Sequence, residues 1–269
     1  MKFLFLIVTL TSVTFSFSQS GSYQFGARSS AMGGASLTLA DEYSLFNNIG
    51  ALGRLDHHSI FAGYQNRYGI TEFQTIAGGA VYKHRLGNAG VGYYKFGDDL
   101  FSEQRLHLAI GNQLQMVSLG LGVDIIQYHV ESVGTKQVMV VEFGGLAEIT
   151  PQLFFGAHIF NITQAETGLQ SDESLPTVMK AGFSYRPSDE LILSVEVEKD
   201  LDFDEIIKAG IEYMIVKDIF LRTGISTRPF IAAFGIGFHP KRLKLDYAFS
   251  DDSELGNIHE ITIAYQLGK

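Results

Sequence analysis

The sequence predicts an all-β protein: roughly 14 antiparallel strands closed into a transmembrane barrel, with an N-terminal segment of different character in front. Three observations predict it. Apolar and polar residues alternate from about residue 54 to the C-terminus. Short turns alternate with longer polar connections. Tyr and Phe recur near the expected strand ends, at Tyr64, Tyr82, Tyr93, Phe154, Tyr185, Tyr213, Tyr247 and Tyr265, where interfacial aromatic girdles sit.

The alternation defines each element. In VSLGLGVDI, Val117, Leu119, Leu121, Val123 and Ile125 share one face, and Ser118, Gly120, Gly122 and Asp124 share the other. LILSVEVEK sets Leu191, Leu193, Val195 and Val197 against Ile192, Ser194, Glu196 and Glu198, and LKLDYAF and HEITIAYQL repeat the pattern. Successive side chains of a strand point to opposite faces, whereas a helix needs apolar residues three and four apart. Strands are expected to start near His58, Phe73, Ala89, Gln104, Val117, Lys136, Leu153, Thr177, Glu190, Glu205, Asp218, Pro229, Arg242 and Ile258. RLGNAG, GNQLQM, ITPQL, RPSDE, IVKD and HPKR read as short turns. FGDDLFSEQ, HVESVGTKQ, TQAETGLQSDESLP, KDLDFDE and SDDSELGN read as the longer connections.

Alternation alone fits two packed sheets as well as a barrel. An even strand number closes an antiparallel sheet without an edge, as lipid requires, and the aromatic and loop patterns point the same way. The apolar faces then point outward. Asp124, Glu142, Lys180, Arg186, Glu196, Glu198, Lys208, Glu212, Asp246 and Glu260 face the lumen, where the mixture of signs suggests crosslinking or wetting.

Residues 1–18 carry Lys2, an apolar run and small residues, the pattern of a secretory signal peptide cut before Gln19. Residues 19–56 form a separate N-terminal segment, which the residues alone leave open between a packed plug and a flexible tail, and 57–269 the barrel. With no Cys among 269 residues, disulfides and thiolate metal sites are excluded. A formal net charge of −9 argues against a nucleic-acid partner. The expected surroundings are bacterial outer-membrane lipid, with a periplasmic face.

Chemical motifs are sought and not found. No Lys-Ser/Thr follows the glycines of GASLTLAD, and Gly33-Gly34 lacks dinucleotide-loop spacing. Neither Gly-x-Ser-x-Gly nor His-Glu-x-x-His occurs. Adjacent His57 and His58 point apart in extended chain and read as a surface pair. Glu196 and Glu198 read as lumenal acids balanced by bases. No catalytic residue, metal or cofactor is expected.

Residues 26–53, GARSSAMGGASLTLADEYSLFNNIGALG, resemble the N-terminal signature of the PorV/PorQ family of FadL-like outer-membrane barrels. The matching parts are Gly26-Ala27-Arg28, Met32-Gly33-Gly34-Ala35, Asp41, and Asn48-Ile49-Gly50-Ala51-Leu52. The last stands where the family reads Asn-Pro-Ala-Gly-Leu, with Ile49 for Pro and the Ala-Gly order reversed. HIFNIT, residues 158–163, likewise has Ile where a family strand end reads Phe-Asn-Pro.

The resemblance implies a lumenal hatch built on Gly26, Arg28, Met32, Gly33, Gly34, Asp41, Asn47, Asn48 and Gly50. It also implies a non-enzymatic accessory or docking role in the type IX protein secretion system. The partner would be a secretion translocon, an attachment complex or exported cargo. Two alternatives are a FadL-like channel for passive uptake of small hydrophobic solutes and a periplasmic-side plug of the translocon. The short connections place transport below docking.

Overall fold

The computed structural model describes residues 24–166 and 175–268. The expected signal peptide (residues 1–18), residues 19–23 of the expected hatch and residues 167–174 of the longest connection lie outside the described residues. Fourteen strands follow three short helices. The helices are α1 (Ala27–Ala31), α2 (Ser44–Asn47) and α3 (Ile49–Leu52). The first seven strands are β1 (His58–Arg67), β2 (Gln74–Tyr82), β3 (Asn88–Gly97), β4 (Phe101–Leu114), β5 (Val117–Val130), β6 (Gly134–Thr150) and β7 (Leu153–Phe160). The second seven are β8 (Val178–Ser188), β9 (Leu191–Asp200), β10 (Ile206–Val216), β11 (Ile219–Thr227), β12 (Phe230–Phe238), β13 (Leu243–Asp252) and β14 (Gly256–Leu267).

Each strand pairs antiparallel with its neighbours in sequence, and β1 closes the ring on β14, from His58 opposite Leu267 to Arg67 opposite Ile258. Register shifts occur at Glu148/Thr150, Tyr185/Ser188 and Met214/Val216, all beside tight turns at one end of the barrel. We call that end the turn end and the opposite one the loop end.

The barrel is inside out relative to a water-soluble domain. Outward positions carry exposed Ile, Leu, Val, Phe and Tyr on every strand but β7, where Leu153, Phe155 and Ile159 are half-buried, and Ile76, Val195 and Phe234 are each more than half exposed. Inward positions carry buried Asp, Glu, Lys, Arg, Ser and Thr. An apolar outer band around a polar interior is what hydrocarbon solvent selects.

Two expectations are corrected. Three of the five long connections are mostly strand: only 98–100 of FGDDLFSEQ, 131–133 of HVESVGTKQ and 253–255 of SDDSELGN fall between strands, whereas TQAETGLQSDESLP and residues 201–205 of KDLDFDE do lie between them. At those three places polar residues at strand ends keep the ladder going above the apolar band and the loop end is as trimmed as the turn end, while 161–177 and 201–205 remain longer connections. Phe154 is also no girdle residue. It points into the lumen and is buried, because its parity on β7 matches Gly156 and His158.

Candidate functional site

Residues 24–57 run through the lumen. Gly26 has φ +120° and lies so close to Tyr43 that a Cβ would meet the ring 2.9 Å away. Gly33, at φ +64°, follows α1 where a Cβ would strike the backbone of Ile225. Both positions therefore need glycine for conformation and for space. Met32 is buried with its backbone against Gly210 and Gly224.

Charge holds this first stretch. Arg28 makes a two-pronged pair with Glu212 at 2.7 and 2.5 Å and reaches Asp41 at 3.0 Å. Burial opposes its charge, yet Glu212 and Asp41 leave the guanidinium more firmly protonated than an ordinary arginine. Glu260 accepts the Gly26 N–H at 2.7 Å and the Ser30 hydroxyl at 2.5 Å. Glu196 accepts the N–H groups of Ser36 and Leu37, both at 3.0 Å.

Glu42 is fully buried and accepts from Lys244 at 2.8 and 2.9 Å, with His57 Nε2 3.2 Å away. Burial pushes this carboxyl up, but His57 and Lys244 together bring it down to about 2. The Glu42 bond, resisted by burial and aided by Asp56 2.7 Å away, raises His57 above its ordinary value. His57 is thus a latch residue rather than one of a surface pair. His58 turns elsewhere, its ring 4.8 Å from that of Tyr82.

The second stretch is uncharged from Ser44 to Gly53. Asn47 exchanges two bonds with Phe25, accepting its N–H at 3.0 Å and donating to its carbonyl at 2.9 Å. Asn48 caps α3 by accepting the Gly50 N–H, and donates to the carbonyls of Leu37 and Gly145 at 2.7 and 3.1 Å. Gly50 and Gly53 sit on the backbone of β4 and β6. A Cβ at Gly120 or Gly144 would collide with residues 48–50.

Every charged position expected in the lumen faces inward, and the barrel joins most of them into networks. On β4–β7, Arg105 bonds Asp124 and reaches Glu142 at 2.6 Å, His107 Nδ1 lies 2.6 Å from Asp124, and His158 Nε2 lies 2.7 Å from Glu142. Donor atoms of His107, Asp124 and Glu142 fall within 4.8 Å of one another. The Arg105 guanidinium already supplies the positive charge that a metal would bring, so the group reads as a crosslink.

On β8–β10, Lys208 pairs with Glu198 at 2.6 Å and Glu196 at 3.6 Å, and Lys180 lies 3.7 Å from Glu198. On β10–β13, Arg222 joins Glu212 to Asp246 at 2.5 and 2.6 Å, with His239 2.9 Å from Asp246. Two of the expected set lie outside these networks: Glu260, bonded to Gly26, Ser30 and Gln65, and Arg186, against Phe154. Arg105, His107, His158, Arg222 and Lys244 were not expected. Their signal is parity: Arg105 and His107 oppose Leu106 and Leu108, and Arg222 stands between Leu221 and Thr223.

Toward the loop end the lumen divides. Ile126, Tyr128, Val140, Phe160, Leu175 and Val178 form a buried apolar cluster on the β5–β8 side. Arg105 lies beneath it, 5.3 Å from the Phe160 ring centre. Across the lumen, a polar cavity of about 250 Å³ is lined by residues such as Gln24, Gln65, Arg67, Lys208 and Asp252.

No protein-family model matches the chain, and no curated protein matches its sequence. Solved structures match its fold. The toluene transporter TodX of Pseudomonas putida superposes with a TM-score of 0.68 at 13% identity, over 93% of this chain and 100% of that one. The toluene transporter TbuX of Ralstonia pickettii gives 0.68 at 13%, over 91% and 98%. A FadL homologue from Pseudomonas aeruginosa gives 0.66 at 13%, over 92% and 100%. At this identity the likeness is one of fold: the chain has a FadL-like, fourteen-stranded barrel.

Proposed function

We propose that the chain is a passive outer-membrane channel for small hydrophobic solutes, with residues 24–57 as its hatch and the turn end facing the periplasm. The observation that carries this reading is the apolar cluster on the lumenal wall. Inward positions elsewhere are mostly polar, charged or small, and the large apolar ones, such as Phe61, Val81, Leu146 and Phe154, are packed against residues of the inner segment. Ile126, Val140, Phe160 and Val178 depart from that rule together, beside the longest connection and above the hatch. A solute leaving water gains about 25 cal/mol per Å² of apolar surface it buries, so such a wall is a place for it to rest. Solved transporters of toluene share the fold, which supports the same reading.

The test is uptake of labelled toluene into liposomes carrying the purified protein. The native chain is expected to speed entry over empty liposomes, and Val140→Asp to remove that gain while the barrel still folds. Equal entry with and without protein overturns the channel.

A second reading is the accessory role in type IX secretion implied by the sequence resemblance. Two features favour it: the largely trimmed loop end and a hatch bonded to the wall along most of its length. Its expected outcome is stoichiometric co-purification with a secretion translocon in mild detergent. A clean monomer that admits toluene removes it.

A further inference from the structure

Two arginines meet one aromatic ring at the turn end of the lumen. The Arg186 guanidinium of β8 lies 4.0 Å from the centre of the Phe154 ring, and Arg54, just beyond α3, approaches the same ring at 5.6 Å. Their charges are poorly matched. Arg54 pairs with Glu148 at 3.0 Å and donates to the Met116 carbonyl at 2.6 Å, and Glu148 is one-third exposed and shared with water. Among the described residues Arg186 has no carboxylate partner; it donates to the Thr38 carbonyl at 2.8 Å. Both Nε–H groups are buried with no acceptor.

Most other lumenal cations differ, and Arg67, bonded to Gln65 at 2.7 Å, lines the polar cavity. Arg28, Arg105, Lys180, Lys208, Arg222 and Lys244 each have at least one carboxylate. A half-buried guanidinium without an anion, beside a second guanidinium, is costly: two buried donors lack acceptors and two like charges repel. One negative group placed between them would relieve both. A guanidinium offers a planar fork that suits phosphate or carboxylate, but a carboxylate is filled by one fork. A tetrahedral phosphate has oxygens for two, and Phe154 fixes the plane from which each fork can donate.

We infer that Arg54, Arg186 and Phe154 form a binding site for a phosphate group at the turn-end mouth, between the inner segment and the β7–β8 wall. The group comes from one of two sources, free phosphate or a lipid headgroup.

The experiment uses the full chain in uncharged detergent, titrated with inorganic phosphate by calorimetry at constant ionic strength. Saturable one-to-one binding is expected, with acetate binding weaker, R186Q weakening phosphate by about tenfold or more and R186K by less. If R186Q fails to fold, R54Q gives the same reading from the second fork. Nanodiscs then separate the sources. Phosphatidylglycerol that abolishes the phosphate heat, where phosphatidylcholine does not, assigns the site to a headgroup, and unchanged heat in both assigns it to the free anion. No saturable heat with the native chain, equal binding by acetate, or full binding by the arginine variants overturns the inference.

Discussion

Residues 24–42 and residues 44–53 cross the same lumen and grip it by different means. The first stretch seats Met32 on Gly210 and Gly224 and adds directional charge: Arg28 on Glu212, Glu260 on Gly26 and Ser30, Glu196 on Ser36 and Leu37, Lys244 on Glu42. The second has no charge and meets the wall through close backbone approach at Gly120 and Gly144 and the amide of Asn48. Ionic contacts weaken when one partner is neutralised and can re-form. A backbone seated against glycine has no such range, because any added atom must displace the chain. Both stretches are thus seated on glycine, and the first carries in addition ionic contacts that neutralisation can loosen, which the second lacks.

The largest test of that division is Glu212→Gln. Its carboxylate serves both Arg28 and Arg222, so neutralising it leaves two buried guanidinium groups sharing Asp41 and Asp246. Breaking a buried pair costs about 3–5 kcal/mol. Amide hydrogen exchange of residues 27–36 is expected to accelerate by orders of magnitude, with residues 45–53 unchanged. Loosening of both stretches together would erase the distinction.

Gly144→Val probes the second stretch from the other side. Its Cβ would fall against Asn48 Oδ1 and 2.7 Å from the Gly50 nitrogen, which no rotamer can relieve. Overpacking of this kind costs about 1–3 kcal/mol. The exchange pattern should reverse, with residues 45–53 losing protection and residues 27–36 keeping theirs. Gly145→Val is the control, since its Cβ points to the outer face and comes no closer than 3.3 Å to Leu119. It should leave both stretches protected.

How much of this was legible in the sequence follows from what period-2 alternation encodes. Strand existence and parity are local, so Asp124, Glu142, Glu196 and Asp246 could be placed on the inner face, and β1, β5 and β7 begin at their expected residues. Partnership is not local. Arg28 and Glu212 are 184 positions apart, and nothing short of the closed register brings them together. The apolar wall was visible only as a fault in the alternation: Ile125-Ile126, Met139-Val140, Ile159-Phe160 and Val178-Met179 each put apolar residues on both faces. Weighing connection length instead of these doublets is what placed transport below docking. Connection length itself misled, because polar residues in strand ends look the same as polar residues in loops.

The smallest expected effect is pH dependence at the Glu42–Lys244–His57 latch, where the two stretches meet the start of β1. Glu42 is held down to about 2 from 4.5, so its contribution is complete above pH 4.5 and disappears as pH falls toward 2. His57 is raised above 6.5, so its contribution is complete below pH 6.5 and disappears as pH rises through the raised value. Both groups are charged between about pH 4.5 and 6.5, and protection of the amides around residue 42 should be greatest there. Asp41, which burial raises despite Arg28, runs counter to Glu42 on the acid side and shallows that limb. On the alkaline side Lys244 still holds Glu42, so the change is modest. His57→Gln should flatten the alkaline limb, because its amide cannot gain the proton that supplies it, and move the acid limb upward, because Glu42 loses one of the two groups that hold it down. Persistence of the alkaline limb in the variant would assign it to another group and leave Lys244 as the sole clasp on Glu42.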